Sequence, residues 1–244
     1  MHKVIKDMLD AGTRIDAWSY SRVQTFRACK RKALLLHGGT AKSRPKIAEQ
    51  SSPAMERGKR IHSEAEQYIR GGGNTLALRD RVWKAWKNEI EELIEYEPER
   101  KIAFDDGWYV LEDYFHRRAW MRAALDAVKV DGDGAIVVDL KTGREYPDHE
   151  EQAELYALAV FEMYPQVNEI LAEFWYLDSK SVVPFTFNRV DDHAELYEKW
   201  DTLGRQITGE VEFAPNPGKA CRAYGRPCPF AQGSELPICE HGGK

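Results

Sequence analysis

The segment Ala135-Ile136-Val137-Val138-Asp139-Leu140-Lys141-Thr142-Gly143 restricts what this chain can fold into more than any other. An apolar run rich in β-branched residues, closed by polar residues and a glycine, reads as a buried strand with a polar exit. Side chains alternate along a strand, so Asp139 and Lys141 leave by one face and Leu140 by the other. A carboxylate and an amine are thereby fixed side by side at a strand end. On its own this tripeptide describes a strand-end salt bridge as well as a reacting centre, because short motifs often match by chance.

The rest of the chain supplies partners. Asp126 lies inside the apolar stretch Arg122-Ala123-Ala124-Leu125-Asp126-Ala127-Val128, and the turn Asp131-Gly132-Asp133-Gly134 separates that stretch from the central strand. Two antiparallel strands joined there bring Asp126 and Asp139 together. Two like charges in a half-buried place are unfavourable unless a cation or a proton lies between them. Gln152 and Tyr156 are four apart in a helical segment and share a face, and Gly58-Lys59-Arg60-Ile61-His62 repeats that spacing upstream.

The order Gly-x-x-x-His, an isolated Asp, Asp-x-Lys-Thr-Gly and Gln-x-x-x-Tyr resembles the RecB-like branch of the PD-(D/E)XK nuclease superfamily over about residues 19 to 240. The likeness is greatest to its iron-sulfur exonucleases, such as the CRISPR-associated RecB-like nucleases and the AddB nuclease domain. It implies an α/β fold: a restriction-endonuclease-like core of mixed β-sheet flanked by helices, its N- and C-terminal segments joined by a metal cluster. It implies one nuclease domain over 1–244, with an N-terminal extension at 1–18, a core at 19–212 and a cysteine-bearing tail at 213–244.

Taken in order, Val4, Ile5, Met8 and Leu9 form a short amphipathic segment ended by Gly12. Ser19-Tyr20-Ser21 offers N-cap hydroxyls for a helix that carries Cys29 and the basic run Lys30-Arg31-Lys32. Residues 38–53 read as a basic exposed loop running into Arg57, Lys59 and Arg60. A charge cluster is usually a solvated surface; its place just before His62 favours contact with phosphates. A helix over Ala54 to Ile69 stops at Gly71-Gly72-Gly73, and a second is expected over Leu76 to Tyr96, with Val82, Trp83, Trp86, Ile90, Leu93 and Ile94 as a core stripe. Strands follow at Ile102 to Phe104, Trp108 to Val110, Ala119 to Val130 and Ala135 to Lys141. Then come a helix over His149 to Met163, strands at Ile170 to Leu177 and Val182 to Val190, and a helix from Asp192 to Ile207.

The tail gives Cys221, Cys228 and Cys239, spaced C-x6-C and C-x10-C, and with Cys29 these are all four cysteines of the chain. No apolar run is long enough to span a membrane and the N-terminus lacks a signal-peptide pattern, so the expected place is the cytoplasm. Disulfides are uncommon there, which leaves a four-thiolate metal site, in a tail too poor in apolar residues to dock by burial alone. The resemblance implies an iron-sulfur cluster of the 4Fe-4S type on these cysteines; the wide spacings keep zinc, or four unligated thiols, open.

The resemblance further implies that His62, Asp126, Asp139 and the Leu140 carbonyl hold Mg2+ or Mn2+, that Lys141 orients water and stabilises charge, and that Gln152 and Tyr156 position Lys141 or the DNA. Arg57, Lys59 and Arg60 are expected on the DNA. A net charge of -5 argues against bulk coating of nucleic acid and allows only a local basic groove. The first reading is a DNA exonuclease acting on single-stranded ends in recombination, repair or processing, with a helicase or recombination partner for any unwinding. The others are a structure- or sequence-specific endonuclease of the same fold, and a non-catalytic DNA-binding subunit with a structural metal.

Overall fold

The computed structural model describes residues 1–40, 42–47, 52–146, 149–219, 221 and 227–241. Its helices are α1 (Lys3–Asp10), α2 (Tyr20–Ala28), α3 (Lys30–His37), α4 (Pro53–Arg70), α5 (Lys87–Glu92), α6 (His149–Met163) and α7 (Arg189–Gly209). Its strands are β1 (Glu97–Phe104), β2 (Met121–Asp131), β3 (Gly134–Lys141), β4 (Glu169–Tyr176) and β5 (Ser181–Asn188). They divide into two compact units, one of residues 1–50, 119–121 and 201–244, the other of 51–118 and 122–200. No helix is long and apolar enough to cross a membrane among the described residues.

The second unit carries the sheet, in order β1-β2-β3-β4-β5. β2 and β3 are antiparallel from Asp131↔Gly134 to Ala127↔Val138, β3 and β4 parallel, and β4 and β5 antiparallel. This is the expected mixed sheet flanked by helices. A parallel pair needs a crossover, and α6 supplies it between β3 and β4. α4 begins where Ser52 accepts the Met55 N–H and Pro53 fixes the first turn. Its apolar side, Ile61, Ala65 and Tyr68, packs with Trp83, Trp86, Ile90 and Leu93 against Val138, Leu140 and Trp175 of the sheet. Leu140 therefore points into this core while its neighbours Asp139 and Lys141 point away from it.

The helix expected over Leu76 to Tyr96 is instead three single-turn 3-10 segments around α5. Side chains divert its backbone: Asn74 takes the Leu76 N–H, Asp80 takes that of Val82, and buried Glu64 takes those of Arg79 and Asp80. The stripe is still core, except Ile94, which is exposed. The expected strand Trp108 to Val110 is a single bridge, Phe104↔Val110, because Trp108 has φ 61° and turns the chain. Ser51, with residues 41 and 48–50 of the expected basic loop, lies outside the described residues.

In the first unit, Cys29 interrupts the single helix expected there. Its extended backbone (φ -163°, ψ 112°) ends α2 and starts α3. The tail docks on this corner by burial as well as polar contact, contrary to expectation. Phe213, Phe230 and Ile238 are buried, and Arg31 Nε donates to the Phe213 carbonyl at 2.8 Å. Asn216 donates its backbone N–H to Cys29 Sγ at 3.4 Å and its side-chain amide to the Ala28 carbonyl at 3.0 Å.

Candidate active site

The ends of β2 and β3 and the sides of α4 and α6 converge on Asp139. Two residues apart on one strand face, Asp139 and Lys141 meet with Nζ 2.6 Å from Oδ2. Both then meet α6: Gln152 Oε1 accepts from Lys141 Nζ at 3.0 Å, while Gln152 Nε2 and the Tyr156 hydroxyl donate to Asp139 Oδ1 at 3.2 and 3.0 Å. Helical i,i+4 spacing puts those two side chains on one line, and Gln152 also donates to Tyr156 at 2.6 Å. Lys141 thus donates to Gln152 while its charge pairs with Asp139 Oδ2.

From β2, Asp126 turns toward the same place. The backbone register with β3 stops at Ala127↔Val138, and beyond it Asp126 Oδ2 accepts the Leu140 N–H at 2.7 Å. Asp126 Oδ1 lies 3.1 Å from His62 Nδ1. α4 comes close to the strand end here because Gly58 has no side chain: a Cβ would sit 3.3 Å from Thr142 Oγ1. Burial alone would lower the His62 pKa, but the Asp126 carboxylate, with the charges of Asp139 and Glu99, outweighs it and holds the imidazolium up to about 9. Asp139 is pushed up by burial and then by the Asp126 charge, against the pull of Lys141. Burial followed by Asp139 raises the Tyr156 phenol well above its usual range, so it serves as a neutral donor.

One residue of the site escaped the sequence reading. Glu99 of β1 offers a carboxylate oxygen that lies, with ligand atoms of His62 and Asp126, in a set all within 4.8 Å of one another. Its φ of 50° is costly for a non-glycine residue and breaks the alternation of β1. In the sequence it is one acid in the run Glu95-Tyr96-Glu97-Pro98-Glu99, with no periodic signal to mark it. Burial and the Asp126 charge raise its pKa.

The donor set fits a divalent cation. Glu99, Asp126 and Asp139 crowd negative charge into a place where burial disfavours it in two of them, and Asp139 Oδ2 is buried without a well-aligned hydrogen bond. Carboxylate oxygens with one imidazole suit a hard cation such as Mg2+ or Mn2+.

Beside His62 an open groove is lined by Met55, Gly58, Lys59, Ser63, Glu66 and Glu99. Of the three basic residues expected on DNA, Lys59 lines this groove, with its amine 3.6 Å from Glu56. The Arg57 guanidinium bridges Asp80 and Asp178, and Arg60 pairs with Asp80 at 3.0 Å. In the first unit, Cys29, Cys221, Cys228 and Cys239 line one small cavity together with Arg31, Lys32 and Phe230, and all four are free thiols. Burial raises the Cys228 and Cys239 thiols.

The central strand ends thus present carboxylates and a pinned lysine, faced by the His62 imidazole of α4, an arrangement able to hold a cation beside an amine. The family is settled by the sequence profile of the PD-(D/E)XK nuclease superfamily, which matches residues 17–232: the chain belongs to it. No curated protein matches the chain. Solved structures similar to it include two at low sequence identity. The structure of SSO0001 is 13% identical, with 99% of this chain and 96% of that one covered and a TM-score of 0.42. A candidate exonuclease from Eubacterium rectale is 11% identical, with 85% and 86% covered and a TM-score of 0.44.

Proposed function

We propose that this protein is a divalent-cation-dependent deoxyribonuclease that hydrolyses phosphodiester bonds from DNA ends, with single-stranded ends as substrate. The observation that carries it is the pinned pair Asp139–Lys141, held by Gln152 and Tyr156 and faced by Asp126 and His62, in a chain of a nuclease superfamily. His62, Asp126, Asp139 and the Leu140 carbonyl hold Mg2+ or Mn2+, and Glu99 adds an oxygen. When bound, the cation polarises the scissile phosphate and lowers the pKa of a water. The Lys141 amine orients that water and stabilises the negative charge that builds on the phosphate oxygens. Gln152 keeps Lys141 at this task, and Tyr156 orients the Asp139 carboxylate. Lys59 contacts a phosphate from the groove beside His62, and Arg57 and Arg60 lie behind it.

In the same proposal, Cys29, Cys221, Cys228 and Cys239 hold a 4Fe-4S cluster. Their shared cavity and the Asn216 N–H aimed at Cys29 Sγ support this, since hydrogen bonds to cluster sulfurs are part of how proteins tune such sites. The likeness of this placement to the iron-sulfur exonucleases supports the exonuclease reading over the endonuclease one. Such an enzyme works in the cytoplasm, where thiols stay reduced, in recombination, repair or processing of DNA, and a helicase partner supplies unwinding. The test is purified protein with Mn2+ on end-labelled linear and circular single-stranded DNA. Progressive shortening of the linear strand with intact circles is expected. Cut circles would replace exonuclease with endonuclease, and two intact substrates would reject the catalytic reading.

A further inference from the structure

Residues 105–120 form a connection between β1 and β2 that the chemistry above does not use. Its backbone is pinned. Buried Asp105 accepts the N–H groups of Gly107 and Tyr109 at 3.1 Å each, and the Leu111 N–H returns to the Ala103 carbonyl at 2.8 Å. Asp113 then closes a second turn, its Oδ1 taking the Phe115 N–H at 2.9 Å and its carbonyl the His116 N–H at 2.9 Å. His116 Nδ1 takes the N–H of Arg118 at 3.2 Å.

This frame holds Phe115 with 73% of its surface in water. Beside it, the Tyr114 ring meets Phe115 edge to face at 5.0 Å, and the Arg122 guanidinium lies 5.7 and 5.8 Å from the Tyr114 and Phe115 ring centres. Arg122 is fixed in turn, because its Nε donates to the Tyr114 carbonyl at 2.7 Å. Single exposed apolar residues are ordinary on protein surfaces. A phenyl ring held out by a pinned turn and flanked by a fixed guanidinium is a preorganised recognition surface, since little ordering entropy is lost when a ligand docks on it.

Its place on the sheet identifies the ligand. Arg122 and Asp126 are four residues apart in β2, so they leave by the same strand face, about 13 Å apart along the strand. A chain whose phosphate lies at Asp126 is therefore within reach of this aromatic pair. Exposed Arg117 and Arg118 follow it in the chain and favour an anionic chain over an apolar protein segment, Arg118 while also lying 3.5 Å from Asp105; Asp105 and Asp113 accept backbone N–H groups, and Glu112 is an exposed acid nearby in sequence.

We propose that Phe115, with Tyr114 and Arg122, is a stacking platform for an unpaired nucleobase of the strand being cut, and that it makes the enzyme prefer single-stranded DNA. This rests on the nuclease reading of the Asp139 centre. A base inside a duplex already has both faces covered by its neighbours, whereas a base of a single strand has a face to offer. Base–aromatic stacking strengthens binding roughly five- to a hundredfold per base and tolerates any sequence, and the guanidinium adds to it.

The test measures binding by anisotropy of a labelled thymidine oligonucleotide in EDTA, so that no cleavage intervenes, alongside the fluorescence of a 2-aminopurine placed in the strand. Phe115→Ala should weaken single-strand binding about tenfold, abolish the quenching of 2-aminopurine, and leave duplex binding and the salt dependence unchanged; Phe115→Trp should restore both. An oligonucleotide made abasic along its length should bind wild-type protein as weakly as the normal strand binds the alanine variant. Equal single-strand affinity of wild type and Phe115→Ala, or a base-free strand bound as tightly as a normal one, would overturn the platform. Wild-type protein that binds and quenches single strands yet cuts none with Mn2+ would leave the platform standing and overturn the nuclease reading.

Discussion

Asp139→Ala, Asp126→Ala and Lys141→Ala each lower Mn2+-dependent DNA cleavage by at least about a thousandfold, and any two together cost little more than one, because members of one catalytic unit do not add. The hydrogen-bond geometry explains why each is needed. Lys141 is held by Asp139 and Gln152 together, so losing Asp139 removes a proposed cation ligand and also releases the amine. Losing Asp126 frees His62 and the Leu140 N–H at once. Asp139→Asn separates chemistry from folding. The site disfavours a charge at Asp139, so the neutral amide should abolish cleavage and leave the thermal midpoint of metal-free protein unchanged or higher. Wild-type cleavage by a folded Asp139→Asn protein contradicts the assignment.

If the proposed cluster is present, Cys29→Ala should remove iron from the protein and lower its midpoint by about 10 °C or more, with activity falling in parallel. Metal ligation of this kind is folding free energy, and a kcal/mol shifts a domain of this size by about 2–4 °C. The tail also docks through Phe213, Phe230 and Ile238, so Cys29→Ala should loosen it rather than unfold the chain. Anaerobically purified wild type should be brown, with about four iron atoms per chain for a 4Fe-4S cluster. Colourless protein with one zinc per chain would replace the cluster and keep the joint; four freely titrating thiols in folded protein would reject both.

What could be read from the sequence was what depends on local pattern. β3 was readable because its apolar run and its Asp-x-Lys exit obey strand alternation. α6 was readable because Gln152 and Tyr156 ride on a helix with a long buried apolar run, Leu155 and Ala157 to Phe161. Glu99 was hidden, since it works from a kinked strand in a run of acids, and its partners come from α4 and β2. The broken helix between Asn74 and Glu95 was hidden for a related reason: Glu64, fifteen and more residues away, takes the N–H groups that a continuous helix would use. Cys29 was read as a helical residue because its neighbours favour helix, and only its extended backbone places the thiol at the cavity. Trp108 to Val110 resemble a strand by composition, but Trp108 turns the chain there, and the turns that hold Phe115 outward carry no strand or helix period.

The central claim is that His62, Asp126 and Asp139 form one cation site poised beside Lys141. Electron paramagnetic resonance of Mn2+ titrated into metal-free protein tests it most directly. His62 must give up a proton held up to about 9 before it can ligate, so the affinity should tighten by about tenfold per pH unit between about pH 7 and pH 9. Asp126→Asn should abolish binding, and Glu99→Gln should weaken it. Mn2+ binding with no pH dependence and unchanged in Asp126→Asn would contradict the account.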